Sequence, residues 1–224
     1  MMSSGLSFQE NYAGLISDTA EAYYGSDLDS LVNRLTVIDS AGELWRYRSG
    51  DTQLLAMILV AATDSTVSEF ASKHLWQPMG AEHSALWSLD RKGGMEKAFC
   101  CFYATARDLA KLGELYRNGG VVGGNALFSA NFLQQAITPN GLVDTKGDTV
   151  DWYGMHWWIK RHQGEELFYA RGILGQYIFV IPSRGLVVVR LGHKREAVVN
   201  NHPADVAKIL DGVFAMYPEK TVSF

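Results

Sequence analysis

Tyr47, Arg48 and Ser49, set between Trp45 and an apolar run from Asp51 to Ala62, are the residues of this chain whose types and spacing could do chemistry. A phenol can take the proton of a hydroxyl nucleophile, but with an unperturbed pKa of about 10 it does so only where nearby positive charge favours phenolate. A Ser-x-x-Lys tetrapeptide would supply both the nucleophile and the cation. None occurs in the sequence: Ser3 reaches Leu6, Ser49 reaches Thr52, Ser68 reaches Ala71, Ser88 reaches Arg91 and Ser183 reaches Leu186. Nor does any serine stand in a Gly-x-Ser-x-Gly elbow. Taken alone, Tyr47 also fits a packed aromatic with its hydroxyl bonded at an edge. Ser49, just before an apolar helical run, fits a helix cap as well as a substrate-facing group, and the two roles are compatible.

The elements that must position these residues are mainly helical from Ser17 to Ala136. Asp27 can cap a short helix through Leu35. Asp51 to Ala62 places Leu54, Leu55, Ile58 and Leu59 at helical spacing, and Thr66-Val67-Ser68-Glu69 has the form of a capping box opening a helix towards Trp76. Thr105 to Asp108 opens an amphipathic helix with Leu109, Leu112 and Leu115 inward, and Ser129 caps one more. Residues 138–151 are polar and turn-rich. After them come short aromatic and β-branched runs, read as strands over Met155–Arg161, Glu166–Arg171, Tyr177–Ile181 and Leu186–Leu191, then a helix from Pro203 to Tyr217. This order predicts an α+β fold, a single domain with a helical lobe over about 1–140 and a sheet lobe with its covering helix over about 150–224.

The 224 residues are 47% hydrophobic and carry a formal net charge of −4, so no basic field invites nucleic acid. His193-Lys194-Arg195 reads as a solvated turn or a small anion contact. No stretch has the length of a membrane span, no signal peptide pattern is present and the compartment stays open. Cys100 and Cys101 are adjacent, which disfavours a disulfide, and they are expected to pack as small apolar groups. The histidines and aspartates lack metal-ligand spacing, so neither a metal nor a cofactor is expected. Trp152, Tyr153, His156, Trp157 and Trp158 form an aromatic cluster that fits a core face or a pocket wall.

Four motifs in order, Trp45 to Leu55, Leu75 to Gly80, Thr105 to Ala110 and Arg171-Gly172-Ile173-Leu174-Gly175-Gln176, resemble the serine β-lactamase-like hydrolases, nearest the class C β-lactamase-related esterases and the 6-aminohexanoate-dimer hydrolases. The resemblance implies a partial β-lactamase/transpeptidase-like fold and hydrolysis of a small-molecule ester or amide through an acyl-serine. It matches Tyr47 to the family's base, with Ser49 beside it, and the strand that reads Lys-Thr-Gly in β-lactamases to Ala170-Arg171-Gly172. Ile173 then offers a backbone oxyanion donor and Gly172 a close backbone approach to the acyl group, while Trp157 is a candidate substrate-side wall only on the pocket reading of the aromatic cluster. Without the lysine of that strand, esterase or amidase activity is expected over β-lactamase activity, unless Arg171 points inward in its place. The family's Ser-x-x-Lys helix lies upstream of the segment that Met2-Ser3-Ser4-Gly5-Leu6 resembles. The residues here are therefore expected to form a C-terminal portion, nearly inactive alone, with exposed apolar surface prone to self-association. A non-catalytic binding module and one half of a split enzyme are the alternatives.

Overall fold

The computed structural model describes residues 1–14 and 16–218. They form two compact units, one of Met1–Thr105 with Gly141–Val150, the other of Ala106–Asn140 with the chain from Asp151 onward.

In the first unit the helices start where local chemistry favours it. Helix α1 (Asp18–Tyr24) is capped by Ser17, and α2 (Leu28–Asn33) by Asp27, whose carboxylate accepts the Ser30 N–H at 3.0 Å. Helix α3 spans Ser49–Thr63 and ends on Asp64 in the left-handed region. The capping box of α4 (Val67–Ala71) is complete: the Glu69 N–H donates to the Thr66 hydroxyl at 3.1 Å and the Thr66 N–H to the Glu69 carboxylate at 3.0 Å. A π-helical turn, Ser72–Trp76, carries it on to Trp76. Phe8, Ala22, Leu28 and Leu31 form the core against which Leu35, Met95 and Phe99 pack. The polar stretch after residue 140 joins this unit, where Val143 and Asp144 pair in parallel with Leu44 and Trp45.

One expectation is overturned here. Cys100 and Cys101 form a disulfide. Adjacent Cα atoms stand 3.8 Å apart, short of the usual disulfide span, but the backbone at Cys101 adopts a φ of 64°, which turns the two side chains towards one another. The preceding tight turn is fastened by Trp87, whose indole N–H donates to the Cys100 carbonyl at 2.9 Å and the Lys97 carbonyl at 3.1 Å.

The second unit is built on an antiparallel meander of β1 (Trp158–His162), β2 (Glu165–Gly172), β3 (Gln176–Ile181) and β4 (Leu186–Arg190). β1 begins three residues later than the periodicity predicts, because His156 takes a φ of 64° and delays strand geometry. Gln163 and Gly164 both take positive φ, as a two-residue hairpin turn with the native twist requires. One sheet face presents Trp157, Ile159, Phe168 and Val180, which pack with Ala136 of α6 (Ala130–Ala136). Helix α5 (Ala106–Arg117) crosses at Gly113, where a Cβ would lie 2.6 Å from Val187 Cγ1; only glycine lets the helix come so near the strand. The other face carries Trp158, Tyr169, Tyr177 and Phe179. Tyr177 donates to Asp205 of α7 (Ala204–Met216) at 3.2 Å, and Tyr169 bonds His202 at 2.8 Å. With apolar groups on both faces, the meander is the core of its unit.

Candidate active site

Tyr47 is half-buried in the turn between Trp45 and α3. Several contacts fix that turn. The Arg46 N–H donates to the Met2 carbonyl at 2.8 Å, and Gly5 takes a φ of 76° with its α-carbon so close to Asp39 that a Cβ would lie 2.0 Å from the Asp39 carbonyl oxygen. Gly50, in the first turn of α3, lets the Phe8 ring lie against the helix. Arg48 is only 1% exposed; its guanidinium donates to Asp39 at 3.4 Å, and burial, followed by the neighbouring Arg46 charge, lowers its pKa. Arg46 reaches the same carboxylate at 3.4 Å.

Ser49 is the first residue of α3, and its side chain faces inward, with the residue 5% exposed. It does not cap the helix, since the N-cap position belongs to Arg48, which makes no side-chain cap bond. Instead Ser49 is itself held: its N–H donates to Glu10 Oε2 at 2.7 Å and its hydroxyl to Glu10 Oε1 at 2.7 Å. The Tyr12 phenol donates to the same Oε1 in a very short bond. Burial first, and then the bond to and charge of Glu10, push the Tyr12 phenol above its ordinary range, with Tyr47 close enough to add to the rise. Deeper along α3, Asp51 accepts the Ser4 hydroxyl at 2.6 Å, and Gln53 donates to the Glu96 carbonyl at 3.1 Å and accepts the Ala98 N–H at 2.9 Å. The buried side of α3 is thus its polar side, while Leu55 and Ile58 are 52% and 54% exposed.

The first unit therefore brings Tyr47 and Ser49 together with Glu10 and Tyr12, two residues that the sequence reading did not select. Spacing offered no signal for them, because 39 residues separate Glu10 from Ser49.

The remaining candidates lie in the second unit. Gly172 ends β2 opposite Gln176, and Ile173 follows it in a short turn, 58% exposed, before Leu174 and Gly175 take positive φ. The Arg171 guanidinium stacks on the Trp158 ring, 3.3 Å from its centroid, and donates to the Asn201 carbonyl at 2.9 Å. Trp157 is buried, in edge contact with Phe168 and against Tyr116 of α5. Gly172 and Ile173 thus sit at a strand end, Arg171 is engaged with an aromatic face, and Trp157 is part of the core. Among the described residues no group of histidine, cysteine and carboxylate side chains could hold a metal ion.

Four family-like motifs in order, on an α+β frame with a tyrosine turn at the head of a helix and a glycine-marked strand end, define a class. The beta-lactamase family model matches residues 1–210, and the chain belongs to that family. It is 28% identical over 156 residues to the 6-aminohexanoate-dimer hydrolase of Paenarthrobacter ureafaciens, an alignment that takes in 66% of this chain and 38% of that protein. Its fold matches a Bacillus anthracis protein provisionally described as a 6-aminohexanoate-dimer hydrolase, with a TM-score of 0.78 at 20% identity, over 96% of this chain and 58% of that one. It also matches the D-amino acid amidase of Ochrobactrum anthropi SV3, solved with D-phenylalanine, with a TM-score of 0.65 at 15% identity, over 96% and 75% of the two chains. The chain thus spans 38% of the curated relative's length and 58% of the Bacillus protein's.

Proposed function

We propose that residues 1–224 supply the tyrosine-bearing portion of a β-lactamase-related serine hydrolase that cleaves a small-molecule ester or amide, and that they are catalytically silent alone. The observation that carries this reading is the built Tyr47 turn in a sequence without Ser-x-x-Lys. Tyr47 is the general base for a nucleophile that another segment provides, Ser49 holds the base's turn to α3, and the Ile173 N–H is an oxyanion donor. Removing a nucleophile removes the acyl-enzyme route, and a lone donor cannot replace it. The engagement of Arg171 with Trp158 and Asn201 supports ester or amide substrates over β-lactams, since a guanidinium so held is withdrawn from meeting a substrate carboxylate.

The exposure of Leu55 and Ile58, on a helix whose polar side is the buried one, favours completion by a further polypeptide segment or by self-association over a free-standing binding module. The test is incubation of the purified chain with a p-nitrophenyl ester and a fluorophosphonate probe, reading turnover and intact mass. Neither turnover above buffer nor labelling is expected. Stoichiometric labelling, with turnover that disappears in Tyr47→Phe, overturns the reading.

A further inference from the structure

We propose that Glu10 is a positioning residue of the Tyr47 site, its carboxylate tying the loop that carries Tyr12 to the first turn of α3 and so holding the Tyr47–Ser49 turn in one place. The proposal deepens, and rests on, the reading of Tyr47 as the retained base.

Every α-helix begins with N–H groups that lack an intrahelical partner, and a side chain at the N-cap commonly takes one of them. Arg48 occupies the N-cap of α3 and takes none. The Ser49 N–H is instead accepted at 2.7 Å by Glu10, from the far end of 39 residues of chain. A carboxylate suits the place, because the helix N-terminus favours negative charge and an ionised carboxylate has acceptor capacity for several donors. Glu10 uses that capacity at the first turn of α3: Oε2 takes the Ser49 N–H, and Oε1 takes both the Ser49 hydroxyl and the Tyr12 phenol. The Ser49 proton is thereby committed to Glu10. The loop is held from its other side as well, since the Gln9 N–H donates to Asp18 at 2.7 Å and the Asn11 N–H to the Thr19 hydroxyl at 3.1 Å. Glu10 is therefore the joint between a loop anchored on α1 and the helix that starts two residues after Tyr47. The titratable group that bonds it is the Tyr12 phenol, and Tyr47 lies near enough to Tyr12 to add to the rise of that phenol.

The experiment uses the full chain as Glu10→Gln and Glu10→Ala, read by NMR at Ser49 and Tyr12. In the unsubstituted chain the Ser49 amide nitrogen and the Tyr12 Cζ resonances move together on acidification, with one shared midpoint. In Glu10→Gln both are flat, while the fold is kept because the amide oxygen still accepts. Exchange of the Ser49 amide hydrogen rises about fivefold in Glu10→Ala, the loss of roughly one cap, and is restored to within about twofold in Glu10→Gln. A structural role through packing alone would leave no pH signature. The proposal is overturned if the two resonances titrate separately, if the shared titration persists in Glu10→Gln, or if Ser49 exchange is unchanged in Glu10→Ala. Should Glu10→Ala fail to fold, the titration in Glu10→Gln decides. Fluorophosphonate labelling of the unsubstituted chain would sink the functional reading and leave these resonances untouched, so the two failures are distinguishable.

Discussion

Gly50→Ala tests whether the Tyr47 turn depends on a close approach between α3 and Phe8. The backbone at Gly50 is helical, so alanine is conformationally allowed and even favoured by up to about 1 kcal/mol in a helix. The obstacle is space. A Cβ at Gly50 would lie 2.5 Å from Phe8 Cδ2 and 2.8 Å from Cγ, where carbon atoms settle near ~3.5–4 Å, so the ring must retreat by about 1 Å. Phe8 is buried among Ala22, Leu28 and Leu31 and has little room to do so. A retreat of that size against a packed ring belongs in the upper part of the overpacking range, about 2–3 kcal/mol, so that after a helix gain of up to about 1 kcal/mol a net loss of about 1–2 kcal/mol remains. In urea at 25 °C that lowers the unfolding midpoint by about 0.5–1 M for a slope near ~2 kcal/mol/M. In a Phe8→Leu background the alanine should cost at least about 0.5 kcal/mol less, because the ring it strikes is gone. A midpoint that is unmoved or raised by Gly50→Ala refutes the reasoning.

Other outcomes follow from the same structure. Thr66→Ala removes one arm of the α4 capping box and should lose about 1 kcal/mol in urea unfolding. Arg184→Met should cost about 1–3 kcal/mol, since it takes the paired guanidinium from a largely covered Glu165 carboxylate that keeps the Ser183 hydroxyl as a donor; the double variant with Glu165→Gln should recover much of the loss. His202 is held neutral, its pKa lowered to about 4 by burial first and then by Lys160 and Arg171. Because its unfolded value is near ~6.5, the unfolded chain binds the extra proton between the two. Stability from this group is therefore full above about pH 6.5, falls as pH drops towards about 4 and levels below it; a pH series of unfolding midpoints should lose that slope in His202→Gln. Thiol titration of the denatured chain should find no free cysteine until a reductant is added.

What the sequence made legible was local. The caps at Asp27, Thr66 and Ser129 each act within three or four residues, so side-chain chemistry alone locates them, and the hairpin at Gln163-Gly164 is legible for the same reason. Motif order was what selected the candidates Tyr47, Ser49 and Gly172-Ile173, and their roles rest on the proposed reading. Glu10 escaped because an acidic residue in a loop looks like solvated charge until a helix terminus folds against it. The cysteine pair escaped because it depends on one left-handed residue that no pattern announces. The helix of residues 49–63 was legible as a helix, but not its orientation: Leu55 and Ile58 suggest a buried stripe, while the hydrogen bonds of Asp51 and Gln53 draw the opposite side inward.

That inversion bears on how a tyrosine base could work. A phenol accepts a proton efficiently only when positive charge stabilises its phenolate. The two arginines that flank Tyr47 in sequence both turn to Asp39, and Arg48 is buried there. The charge added beside the neighbouring phenol is the Glu10 carboxylate, which opposes ionisation. On the proposed reading, the first unit thus builds the geometry of the base while its two flanking arginines are engaged with Asp39. A cation brought by the segment that carries the nucleophile would favour the phenolate at the same moment as it supplies the serine. Base activation and nucleophile delivery would then be one event, and no partial activity should accumulate in the chain before it is completed.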